Sequence, residues 1–158
     1  MNATELLKQD HDAVKQLFAE FESSESAEDK IDVFEDIREQ LLIHARIEEE
    51  IFYPAVKQTD SGDAKSEIDE ALQEHQHVKV LLEELDGMAA DADPEFTESV
   101  RTLNKSVEHH VQEEESEIFA TARQLGDERL EELGVRLQQR KEQLMEMALD
   151  VEEQSAEQ

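Results

Sequence analysis

One helix in this chain carries a histidine and a glutamate on its apolar face. At helical spacing Phe34, Ile37, Leu41, His44, Glu48, Ile51 and Ala55 form the i, i+3, i+4, i+7 stripe that a helix turns toward a core. A carboxylate buried unpaired there is strongly destabilising or takes up a proton, so the position asks for a cation. His-x-x-x-Glu alone says little in a chain with 43 Asp and Glu; its place on the stripe is the informative part. The intrusion recurs later, where Val100, Leu103, Val107, His110, Glu114 and Ile118 repeat it.

With 4 Gly, 2 Pro, no Trp and abundant Glu, Leu, Gln and Ala, the chain reads as all-α. Its 158 residues are enough for one domain with a real core. The formal charge of −28 argues against nucleic acid and against an anionic membrane surface, both of which need basic side chains. It suits cationic ligands, and much of it is a solvated acidic face compatible with a saline habitat. The absence of cysteine excludes disulfides, thiolate zinc sites and a cysteine nucleophile, so a metal would take N and O ligands. No apolar run approaches the ~20 residues of a membrane span, and Met1-Asn-Ala-Thr-Glu-Leu-Leu-Lys lacks a basic flank, so a cytoplasmic location is expected.

The first helix is expected from Ala3 to Ser23, with Leu7, His11, Val14, Phe18 and Phe21 as its stripe, and a second from Ala27 to Gln58, kinked by Pro54. Thr59–Asp63 connects to a third, with Asp63 as N-cap and Ile68, Leu72, His75, Val78, Leu82, Leu85 and Ala89 inside; it ends near Ala90. His77 falls about 200° from His75 at ~100° per residue and is a surface residue. Asp91-Ala-Asp93-Pro94 is a stop and restart, with Asp93 as N-cap and Pro94 at the first position of a fourth helix. There His109 points ~100° off the stripe. Gly126-Asp127 opens a fifth helix with Leu130, Leu133, Leu137, Leu144 and Val151 on one face. That face is suited to cover the bundle or to pair with another copy in a homo-oligomer.

His11 and His44 are 33 residues apart and His75 and His110 are 35 apart, and the second histidine of each pair is followed by glutamate four residues on. The chain therefore reads as two αα-hairpins forming an up-down-up-down four-helix bundle with an additional C-terminal helix. Its interior would bring together His11, His44, Glu48, His75, His110 and Glu114. Four imidazoles and two carboxylates suit two first-row transition ions, iron above all; zinc needs fewer ligands, and calcium or magnesium prefers oxygen alone.

These residues carry a resemblance. His11-Asp12, His44-x-x-x-Glu48-Glu-x-Ile-Phe-Tyr-Pro54, Glu74-His75 and His110-x-x-x-Glu114-Glu-x-x-Ile-Phe119, across about residues 3 to 124, resemble the hemerythrin-like, or HHE cation-binding, family of non-heme di-iron bundles. The resemblance implies the four histidines as iron ligands, Glu48 and Glu114 as bridging carboxylates, and an oxo or hydroxo group between the two ions. One departure stands out: oxygen-carrying hemerythrins have a second histidine four residues after the first on the third helix, where this chain has Lys79. One iron would then be coordinatively poorer, or His77, Tyr53 or water would substitute. Tyr53, nine residues after His44, falls on the opposite face of a straight helix and joins the site only if Pro54 distorts the backbone.

The domain expectation is a metal-binding bundle over 1–126, an amphipathic helix over 127–153 and a tail over 154–158. The functional expectation is binding of dioxygen, peroxide or nitric oxide at the iron pair, with catalase-like peroxide decomposition or nitric-oxide reduction favoured by Lys79. The alternatives are an iron or oxygen carrier, store or sensor without turnover, and a metal-free helical interaction protein.

Overall fold

Three of the helix starts in this chain are fixed by side-chain caps, at Asn2, Ser26 and Asp93. The structure, a computed structural model, describes residues 1–89 and 93–156, with side chains through Leu149. Asn2 accepts the Glu5 N–H while the Glu5 carboxylate takes the Asn2 N–H, a capping box that starts α1, Ala3–Ser23. Ser26 caps α2, which runs over Ala27–Ile47, passes through a π turn at Glu48–Phe52 and resumes over Tyr53–Lys57. Helix α3 is Ala64–Met88; Asp63 stands at its N-cap, but in αR geometry and with no side-chain cap bond. Asp93 does cap, accepting the Phe96 N–H at 2.9 Å, and Pro94 opens α4. Helix α4 covers Pro94–Glu113, a second π turn at Glu114–Ile118, and Phe119–Ala122. Gly126, at φ 89°, turns the chain into α5, Asp127–Ala156.

Helix α1 packs along α2, α3 along α4, and α5 on α1 and α2. The apolar interior forms two layers. Phe18, Phe21, Phe34, Ile37, Leu85 and Phe96 anchor one. In the other, Leu7, Ile47, Phe52 and Phe119 meet Leu130, Leu133 and Leu137 of α5, so the leucine face of the fifth helix is spent on the bundle. Between the layers lies the belt of buried histidines and glutamates.

In α3 the expected interior residues Leu72 and Val78 are only half-buried while Ala71 is buried, and in α2 the stripe departs from a straight 3.6-residue count after Glu48. Ile51 is only half-buried, whereas Phe52 and Tyr53 are buried, because the π turn adds a residue to that turn and rotates everything after it. The irregularity precedes Pro54 and does not depend on it: Ala120 holds the corresponding place after the second π turn. Helix α5 continues through Ala156, past the expected tail boundary at Gln154. The expected end of α3 at Ala90, Asp91 of the stop signal, the Val151 side chain and the last two residues lie outside the described residues. Among the described residues, no helix is long and apolar enough to cross a membrane.

Candidate metal centre

Each of the four bundle helices brings one histidine to the middle of the interior, and the two π turns bring the glutamates. Ligand atoms of His11, His44, Glu48 and Glu114 lie within 4.8 Å of one another, as do those of Glu48, His75, His110 and Glu114. All six residues are buried, Glu48 and Glu114 completely. The two donor sets share both carboxylates. His44 Nε2 is 3.1 Å and His75 Nε2 3.2 Å from Glu48 Oε1, while His11 Nε2 and His110 Nε2 each stand 3.3 Å from Glu114.

The outer nitrogens are held just as regularly. His11 Nδ1 meets Glu115 at 2.8 Å, His44 Nδ1 meets Asp10 at 2.9 Å, His75 Nδ1 meets Glu49 at 2.9 Å, and His110 Nδ1 meets Glu74 at 2.7 Å. An ionised carboxylate only accepts, so each Nδ1 carries the hydrogen and each neutral ring turns an Nε2 lone pair inward. Lone pairs then face lone pairs. His11 Nε2, His44 Nε2, Glu48 Oε2 and Glu114 Oε1 are buried without a hydrogen-bond partner, the 3.3 Å approach of His11 to Glu114 lacking hydrogen-bond geometry. Buried polar atoms are normally satisfied, and imidazole with carboxylate is a donor set for first-row transition ions, so these residues fit a pair of such ions.

Without metal, three of the four histidines favour the protonated form. Burial lowers the pKa of His110, but hydrogen bonds to Glu114 and Glu74 outweigh it and push it to about 10. Burial likewise opposes protonation of His44, and the Glu48 charge and the Asp10 hydrogen bond raise it well above the ordinary histidine value. His75 is raised by Glu48 and Glu49 against the same desolvation.

Tyr53 is in the site, a correction to the straight-helix expectation that needed Pro54 to bring it there. In the π turn the Tyr53 N–H bonds to the Glu48 carbonyl, five residues back, so Tyr53 sits above Glu48. Its hydroxyl donates to Glu114 Oε2 at 2.5 Å and lies 3.2 Å from His75 Nε2 and 3.3 Å from Glu48 Oε1. The second repeat makes the same bond from Phe119 to Glu114, and there the ring stacks on His11, with centroids 6.0 Å apart and planes at 8°. His77 and His109 are exposed, His109 pairing with Glu113 at 3.0 Å. Lys79 does not stand in for the missing histidine; its Nζ lies 3.3 Å from both oxygens of Glu49, behind His75.

The four outer carboxylates were not assignable from sequence, although one signal was present. Asp10 and Glu74 each precede a site histidine and Glu49 and Glu115 each follow a site glutamate, and each serves a histidine of a different helix. On the side facing Phe34 and Phe96, an apolar cavity lined by Val14, Leu41, Val78, Leu82, Val107 and Val111 reaches all four histidines.

Residues 2–122 match the model of the hemerythrin HHE cation-binding domain. The chain belongs to the hemerythrin HHE cation-binding family. A solved structure of an HHE cation-binding domain-containing protein from Mycobacterium kansasii superposes with a TM-score of 0.82 at 29% identity, covering 94% of this chain and 90% of that one. So the fifth helix of this HHE protein lies largely within the shared architecture. A "DNA nickase" of Nostoc sp. is 35% identical over 123 residues, 78% of this chain. The chain spans only 34% of that relative's length.

Proposed function

We propose that this HHE domain would hold two iron ions, one on His11 and His44 and the other on His75 and His110, with Glu48 and Glu114 available to both. The observation that carries the reading is four buried atoms without partners, His11 Nε2, His44 Nε2, Glu48 Oε2 and Glu114 Oε1, of which the two carboxylates belong to both four-residue donor sets. Such an iron pair would supply redox chemistry toward dioxygen, peroxide or nitric oxide.

Tyr53 substitutes for the ligand that Lys79 does not provide, on the His75 and His110 side. The corresponding Phe119 offers no donor, so the His11 and His44 side keeps room for an external molecule. The mostly apolar cavity beside the histidines, with Asp10 and Lys79 on its wall, suits a small uncharged species. In the metal-free protein the Tyr53 hydroxyl donates its proton to Glu114 Oε2, and as a ligand it would give that proton up. The outer carboxylates fix the four rings with their inward nitrogens unprotonated.

The function best supported is binding of a small oxidant or gas, with peroxide decomposition to water and dioxygen as the turnover. DNA cleavage is no part of this reading: the nickase activity is that of a protein more than twice as long, and a chain of charge −28 repels phosphates.

The test is metal content per chain after expression with iron, with visible spectra before and after hydrogen peroxide and a record of oxygen release. Two irons and sustained oxygen release that disappears in Glu114→Ala are expected. A stable spectral change without release would mean carriage or sensing. No metal under any loading would reduce the protein to a helical interaction bundle.

A further inference from the structure

We infer that α5, which lies beyond the matched HHE residues, belongs to the metal centre: Lys141, acting through Asp10, sets how strongly His44 donates to its ion. Asp10 is only 3% exposed. One of its oxygens meets His44 Nδ1 at 2.9 Å and the other meets Lys141 Nζ at 2.6 Å. The neighbouring Arg140 holds Glu50, inside the π turn that carries Glu48, by two hydrogen bonds of 2.7 and 3.2 Å. Two consecutive cations of one helix thus grip the carboxylate behind His44 and the turn that presents Glu48.

The internal repeat shows what this adds. Glu74 stands to His110 as Asp10 stands to His44, but its other contacts are His109 and Glu113 and no lysine. Glu115, behind His11, has no lysine partner among the described residues. Glu49 has Lys79, but at 3.3 Å and in a half-exposed pair, where solvent screens the charge. Lys141 and Asp10 therefore form the closest and most buried of these pairs and break the twofold likeness of the two half-sites.

A carboxylate already shared with a lysine is a poorer acceptor for the imidazole N–H. Less negative charge then accumulates on the ring, and its inward nitrogen donates less to a metal. In this chain His44 is held as a weaker donor than His110, which favours the lower oxidation state of the ion it serves. Lys141 touches neither metal nor ligand atom and is a positioning residue.

The first readout needs no iron: the His44 ring N–H proton resonance in ring-¹⁵N-histidine protein, metal-free and zinc-loaded. In Lys141→Gln that resonance moves downfield as the Asp10 bond strengthens, Lys141→Arg restores it toward wild type, and Asp10→Asn moves it upfield. Arg140→Gln loosens the same helix and leaves it in place. The second readout is the reduction midpoint of iron-loaded protein, measured per iron bound, expected to fall in Lys141→Gln and to rise in Asp10→Asn. This arm rests on the di-iron reading, and an iron count on wild type separates failure of that reading from failure of this one. A His44 resonance that stays put in folded Lys141→Gln, or shifts equally in Arg140→Gln, overturns the inference.

Discussion

The Tyr53 hydroxyl donates to Glu114 Oε2 across 2.5 Å, joining the end of the first His-x-x-x-Glu motif to the carboxylate of the second. This contact exists because the π turn before Tyr53 replaces an i, i+4 step with an i, i+5 step. It places the chain's single tyrosine between two glutamates and a histidine, where a phenol oxygen can serve as donor or as ligand.

Tyr53→Phe should keep both irons and lose the visible phenolate-to-iron absorption band. In metal-free protein it leaves Glu114 short of a donor, at a cost of about 1–3 kcal/mol. An unchanged iron spectrum in this variant would remove Tyr53 from the ligand set.

Glu114→Ala and His44→Ala should lose bound iron and, with it, the thermal stabilisation that loading confers. That stabilisation is about 4 kcal/mol when free metal is a thousandfold above Kd. His109→Ala, at an exposed ring, should retain both. Melting curves with and without chelator decide the matter, and three variants that respond alike to chelation would contradict the ligand assignment.

The pH dependence should have opposite sign with and without metal. In metal-free protein the His110 pKa is about 10 against an ordinary value of 6.5. A raised folded pKa contributes stability that is complete below pH 6.5 and is lost as pH rises through 10. The loaded protein uses neutral imidazole, so acid displaces the metal and destabilises the fold. Chemical unfolding from pH 5 to 10 should thus show stability that is level to pH 6.5 and then falls for the metal-free form, and rising, then level, stability for the loaded one.

Gly134→Ala in α5 should destabilise, although the same change at an exposed helix position gains about 1 kcal/mol. An added methyl there would collide with the Met1 carbonyl oxygen and the Asn2 backbone, and overpacking against main chain costs about 1–3 kcal/mol. A melting temperature above wild type would refute the close approach of the amino terminus to α5.

The sequence by itself determined the helices and their buried faces. Asn2, Ser26, Asp93 and Gly126 act on backbone groups a few residues away, and the apolar stripes of α1, α3 and α4 follow a fixed angle per residue, so both are local properties. His11, His44, His75 and His110 could be picked out because each interrupts such a stripe, and His77 and His109 set aside because they do not. Only the tertiary structure decided which carboxylate stands behind which histidine and whether Tyr53 enters the belt. Asp10 meets Lys141 across 131 positions of the chain, a pairing that no periodicity encodes. A π turn arises when packing on both sides of the helix favours one extra residue per turn, and here the burial of Phe52 and Tyr53 over Ile51 accompanies it. Helical spacing fixes which residues face inward, but the distances between ligand atoms depend on how five helices fill the space between them.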